Sequence, residues 1–131
     1  MSMGRNIITM NESGNIIMTE NVTDIWMSEP ELVELFGVIV PTLRAAIKAV
    51  YKSGVLKGQE AQKYARLENG YHADVFSFPM IVALAFHINS FGAELVRNAV
   101  FERLYLRKEK TTFFFSLGIH NMSNSLIPQH N

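Results

Sequence analysis

Residues 28–54 read SEPELVELFGVIVPTLRAAIKAVYKSG, and the fold turns on how this stretch divides. Ser28 can cap the free N–H groups of a first helical turn, and Glu31 three residues on completes a capping box. Pro30 falls at an early helical position, where its missing N–H costs nothing. Leu32, Leu35 and Phe36 give that helix an apolar face, and Gly37 supplies the freedom to turn after it. Pro41 can open a second helix in the same way, with Leu43, Ile47, Val50 and Tyr51 at helical spacing up to Gly54, a predicted stop. Two helices joined by a short turn containing glycine make a helix-turn-helix pattern.

The flanking segments add strands on both sides. Residues 63–68 and 71–76 are strand-like runs around Asn69-Gly70, the dipeptide suited to a tight type I′ turn because both positions accept positive φ. Upstream, residues 6–20 (NIITMNESGNIIMTE) place two β-branched runs around Asn11-Glu12-Ser13-Gly14, a second hairpin pattern. From Phe78 the run MIVALAFHI is apolar nearly all round, which predicts a short helix buried on most sides, His87 included, with Ser90 capping or breaking it. Residues 91–108 predict the last helix, with Leu95, Ala99, Val100, Leu104 and Tyr105 apolar and Arg103, Arg107, Lys108 and Lys110 near its C-terminal end, where the dipole favours them. The expected fold class is α+β: a winged helix-turn-helix-like domain over residues 1–110, with an N-terminal β-hairpin and two C-terminal helices. The tail, residues 111–131, holds no Asp, Glu, Lys or Arg. Its Phe113-Phe114-Phe115 is expected to pack as a strand against the last helix or a second copy, which makes a homodimer the expected assembly.

Composition sets limits on function. At 131 residues the chain has room for one core, and 48% hydrophobic with 18% charged residues excludes a disordered or collagen-like chain. The absence of cysteine excludes a disulfide scaffold, a thiolate zinc site and a thiol nucleophile, and fits a reducing compartment. MSMGRNIITM holds a lone Arg5 and an apolar run too short for a signal peptide, and no stretch approaches a membrane span, so the expected location is cytoplasmic, with no membrane partner. Twelve basic and twelve acidic side chains cancel, but unevenly along the chain. Residues 1–40 carry a net −5, residues 41–66 a net +5, and the remainder is balanced. The excess positive charge therefore falls on the second helix of the pair and the strand that opens the hairpin. Arg44, Lys48 and Lys52 recur every four residues as one stripe beside Leu43, Ile47 and Val50. A helix with one buried and one basic face, followed by a hairpin carrying Lys63 and Arg66, is the arrangement by which a winged helix lies on a duplex. A solvated face accounts for three charges equally well; the coincidence of stripe, turn and wing favours binding.

The runs Asp24-Ile25-Trp26-Met27, Glu34-Leu35-Phe36-Gly37, Ile47-Lys48, Lys52-Ser53-Gly54-Val55-Leu56, Leu67-Glu68-Asn69-Gly70 and Met80 to Phe86 (MIVALAF) together resemble the small RhuM-like proteins, sometimes labelled virulence-associated, of bacterial mobile elements. The resemblance covers residues 22–108 in order and spacing. It implies a winged-helix-like DNA-binding region, a helical C-terminal part and no established catalysis. Where that family tends to place polar residues at the start of the second helix, this chain has Gly37-Val38-Ile39-Val40-Pro41, which leaves Thr42 as the side-chain donor to a base edge. The tail has no counterpart there.

Candidate sites follow. His72, His87, His120 and His130 are too scattered for a metal-ligand spacing, and no glycine-rich phosphate loop, nucleophile elbow or paired carboxylate suggests catalysis. No catalytic residue, metal or cofactor is therefore expected, and the chain is not read as an enzyme. Trp26 reads as a core anchor, and His72, beside the hairpin turn, as a surface residue. The expected function is a small DNA-binding or transcription-regulatory accessory module that holds double-stranded DNA weakly and without strong sequence preference. Thr42, Arg44, Lys48 and Lys52 on the second helix and Lys63 and Arg66 on the wing would make the contacts. The alternative is a protein-interaction adaptor in which Val38, Ile39 and Val40 dock a protein partner. Burial discriminates: packed Val38–Val40 with an exposed basic stripe favours DNA, and the reverse favours a partner.

Overall fold

Ser28 and Ser77 each end a strand and begin a helix, and each is followed two residues on by a proline in the first helical turn. These paired junctions frame the fold in a computed structural model, which describes residues 5–105. Strands β1 (Thr9–Met10) and β2 (Ile16–Ile17) lead through a 3-10 turn (Val22–Asp24) to β3 (Trp26–Ser28), α1 (Glu29–Phe36) and α2 (Val40–Ser53). A single helical turn, α3 (Gly58–Ala61), then precedes β4 (Gln62–Arg66), β5 (His72–Ser77) and α4 (Phe78–His87), and residues 91–105 are again helical (α5). The chain is α+β. Residues 1–97 cluster as one unit and residues 98–131 as another, and the sheet with α1 to α4 belongs to the first. The uncharged tail with its three phenylalanines, and the expected helix end at Lys108, lie outside the described residues.

The main sheet is antiparallel with order β3-β5-β4. Neighbours in a strand point to opposite faces, yet Val75 and Phe76 of β5 are both buried, so the central strand is covered on both sides at its C-terminal end. Its other end, at His72 and Asp74, is exposed and projects as a hairpin with β4. Leu32, Leu35 and Phe36 of α1, Leu43, Ala46 and Val50 of α2, and Met80, Ile81, Leu84 and Ala85 of α4 fill the core. Each large apolar side chain so buried contributes about 1.5–3 kcal/mol, and exposed ion pairs contribute far less. Apolar burial therefore sets the fold.

The helix pair forms as predicted, but Glu31 supplies the cap, since the Ser28 side chain makes no cap hydrogen bond. Glu31 Oε1 accepts from the Ser28 N–H at 2.9 Å, Pro30 stands in the first turn, and Gly37 ends α1 in the left-handed region at φ 65°. Gly54 ends α2 likewise at φ 78°.

The hairpin expected around Asn11–Gly14 forms, and the turn at Asn69-Gly70 differs from expectation. Asn69 does not take positive φ, so the turn is not type I′. Leu67 and Tyr71 face each other, with Leu67 N–H donating to Tyr71 O at 2.7 Å and Gly70 N–H to Leu67 O at 2.9 Å. The loop is therefore the three residues Glu68-Asn69-Gly70, in which Gly70 alone is left-handed, at φ 92°. Asn69 Oδ1 accepts from the Tyr71 N–H at 3.0 Å, a local bond that favours this wider turn. The first hairpin repeats the solution, with Gly14 at φ 83° and Asn11 Oδ1 accepting from the N–H groups of Ser13 and Asn15. That hairpin pairs only Thr9 with Ile17 and Met10 with Ile16. Asn6 leaves it to form a parallel bridge with Ile25, and Ile8 is buried while Ile17 stays half exposed.

A second correction concerns α4. The helix buries one face, but Phe86 and His87 are exposed, so His87 is not a core residue. It lies outside the face of Met80, Ile81, Leu84, Ala85 and Ile88, which are the residues that pack inward. Ser90 caps the next helix, accepting from Ala93 N–H at 3.0 Å, and its hydroxyl donates to Phe36 O at 2.7 Å. This fastens the start of α5 to the end of α1. Gly92 permits the contact: a Cβ there would stand 2.3 Å from Leu35 O and 2.9 Å from two backbone carbons of Phe36. Gly92→Ala is expected to destabilise the protein by roughly 2 kcal/mol or more, since backbone on both sides must separate. A lowered urea midpoint checks this.

Candidate nucleic-acid interface

Helix α2 buries Leu43, Ala46 and Val50 and turns Thr42, Arg44, Lys48 and Lys52 outwards, so all four predicted helix contacts are exposed. Their surroundings differ. Lys48 and Lys52 have no ion-pair or hydrogen-bond partner for their side chains among the described residues. Arg44 does: its Nε and Nη2 donate to Glu29 Oε2 and Oε1, each at 2.8 Å. The Arg44 bond is the first cause that holds the Glu29 carboxyl below the usual glutamate range. This pair joins the start of α1 to the first half of α2. Part of the basic stripe is thus neutralised by the acidic segment that precedes it.

The hairpin shows the same division. Lys63 lies with its Nζ 4.1 Å from the centre of the Trp26 ring, so its charge is held over an aromatic face of β3. Trp26 is accordingly half-buried and carries a cation, and it is not a fully enclosed anchor. Arg66 is exposed near the tip, with no ion-pair or hydrogen-bond partner among the described residues. The Tyr51 hydroxyl donates to Gln62 Oε1 and ties the C-terminal half of α2 to β4. Burial, with the nearby Asp74 charge second, raises the Tyr51 pKa, which keeps the phenol a neutral donor. Tyr51, Gln62, Lys63 and Asp74, with Gly58 and Gln59, line an open depression of about 590 Å³.

The apolar edge before α2 is not packed away. Ile39 is 67% exposed and Val40 37%, while Val38 is half-buried. Exposed cations and exposed apolar side chains stand side by side, so both arms of the burial criterion are partly met.

Arg5 is the residue that the sequence reading missed. Its side chain is 3% exposed, and it bonds to Glu31 through Nη1 at 2.7 Å and Nη2 at 2.9 Å. Nη1 also donates to Trp26 O and Nη2 to Glu68 Oε1, both at 2.8 Å. One guanidinium therefore joins β3, the first turn of α1 and the hairpin turn, and sets where the hairpin stands relative to the helix pair. No local pattern marks it, because its partners lie 21, 26 and 63 residues away. Among the described residues no group of three or more His, Asp or Glu gathers as a metal site, and no helix is long and apolar enough to cross a membrane. His120 and His130 lie outside the described residues.

Glu31 is pushed up by burial, but the bonds from Arg5 and from the Ser28 N–H outweigh this, and its pKa is lowered from 4.5. The contribution of this pair is therefore complete above the unfolded value and is lost as pH falls through the lower folded one. Unfolding midpoints measured from neutral to acid pH should fall below about pH 4.5, and Glu31→Gln should flatten that part of the profile while lowering stability at neutral pH. No protein-family model, curated protein or solved structure matches the chain.

Proposed function

We propose that this chain is a small duplex-DNA-binding module of the winged-helix kind, which lays α2 and the β4–β5 hairpin along the phosphate backbone. The observation that carries the reading is Lys48 and Lys52, one turn apart on the open face of α2, with no partner among the described residues. The topology supports it: strand β3, helices α1 and α2, then a hairpin whose second strand pairs with β3, is the order of a winged helix after its first helix, whose place a β-hairpin takes here. Thr42 in the first turn of α2 and Arg66 on the hairpin extend the surface. Arg44 joins it by exchanging Glu29 for a phosphate, and Lys63 by leaving Trp26. Base reading is weak, because the start of α2 presents Ile39, Val40 and Pro41 in place of donors.

The exposure of Ile39 and Val40 favours a second reading, a protein-interaction adaptor that docks through the same edge. Ile39→Ser separates the two, because it removes the apolar side chain without adding a negative charge to the start of the basic helix. A DNA module keeps most of its duplex affinity, while an adaptor loses its partner.

Binding to unrelated duplexes is expected at low salt, with similar affinities. The three free cations, Lys48, Lys52 and Arg66, give a slope of log affinity against log salt of roughly −2.7, and Arg44 and Lys63, once exchanged, steepen it towards about −4.5. Lys48→Ala and Lys52→Ala should each reduce that slope by about one and leave the melting temperature unchanged. Glu29→Gln should strengthen binding, because it releases Arg44 and removes a negative charge from its side. Fluorescence anisotropy across a salt series measures all three, and absence of binding at low salt would overturn the DNA reading.

A further inference from the structure

The open end of the β4–β5 hairpin carries aromatic rings as well as charge. Strand register sets Tyr64 opposite Asp74 and Arg66 opposite His72, so these four side chains share one face of the ladder. Tyr64 and His72 meet across the diagonal, with ring centres 5.5 Å apart and planes 19° from parallel. Neither ring is part of the core: Tyr64 is 70% exposed, and His72 is exposed. On this face burial is complete only at Phe76. Two side chains stacked on each other in water leave their outer faces open, and a stacked base is the ligand that such faces hold without regard to sequence. Charge complements the rings on one side. Arg66 is the direct cross-strand neighbour of His72 and has no ion-pair partner among the described residues. Asp74 lies across from Tyr64 at the other side, toward the depression beside Tyr51. A phosphate chain crossing the pair would therefore run on the Arg66 side.

We propose that Tyr64 and His72 form a stacking platform for an unpaired nucleobase, with Arg66 holding the adjoining phosphate, so that the preferred ligand is a duplex that carries a single-stranded segment. The proposal rests on the nucleic-acid reading of α2 and the hairpin and gives the aromatic pair on that hairpin an additional task. Inside a closed duplex Tyr64 finds no free base face, because each internal base is stacked on both sides, and only the two end pairs keep one face open. An overhanging or extruded base does, and one such stack strengthens binding by about tenfold.

The test compares a short blunt duplex with the same duplex bearing a thymidine overhang, each titrated against the full chain at low salt. The overhang is expected to tighten binding by about tenfold. Tyr64→Ala should abolish that gain, Tyr64→Phe should retain it, and neither should alter affinity for the blunt duplex. Crosslinking of a bromouracil overhang to the unaltered protein gives an answer without any variant, with adducts expected on Tyr64 or His72. Equal affinity for the two ligands, equal loss on both with Tyr64→Ala, or adducts confined to other residues would overturn the platform and leave the reading of α2 intact. Failure of both duplexes to bind would overturn the platform and the reading of α2 together.

Discussion

Strand β5 must satisfy a hydrogen-bond ladder on each edge while burying adjacent residues, Val75 and Phe76, on opposite faces. That requirement fixes much of what surrounds it. A strand covered on both faces needs apolar layers on both sides, and a short β3 and a longer β4 close its two edges. β3 and β5 run antiparallel side by side, with Trp26 opposite Ser77 and Ser28 opposite Val75. Their helices therefore depart from opposite ends of the strand pair, α1 after Ser28 and α4 after Ser77. Serine before a proline-containing first turn suits each exit, because the strand conformation continues to the cap and no helical N–H is lost at the proline.

Charge has two separate uses. Arg5 is turned inward, and its five-donor fork joins two carboxylates and a carbonyl from three parts of the chain. Such a buried pair contributes more to position than to net stability, since desolvation offsets much of the attraction. It orients the hairpin, and so the aromatic pair and Arg66 that the hairpin carries. Arg44 and Lys63 are held by exposed or half-exposed partners, Glu29 and Trp26, and solvent and salt weaken these contacts. They can be exchanged for a phosphate at low cost, whereas Arg5 cannot.

The two helices around Gly37 were legible because their signals are local: a capping box, early prolines, left-handed glycines and apolar residues at helical spacing. The hairpin at Asn69-Gly70 was legible in place but not in type. Two-residue and three-residue loops share that dipeptide, and the choice between them depends on how Leu67 faces Tyr71 across the ladder. The exposure of His87 was not legible either, because a run that is apolar nearly all round does not reveal which of its faces meets the core. The basic stripe was legible as spacing, yet the neutralisation of Arg44 by Glu29 depends on two helices folding back on each other.

Local chemistry alone therefore specified an α+β chain, the helix pair, the hairpins and the local excess of positive charge. Those features arise from contacts a few residues apart, where spacing in the chain is spacing in space. Long-range contact alone specified the order β3-β5-β4, the Arg5 clasp and the close approach of Gly92 to Leu35. Each of these joins residues whose separation along the chain carries no periodic signal. The same physical separation explains the site: the side chains that can meet a ligand were visible in the sequence, and the ones left free to do so were selected by the fold.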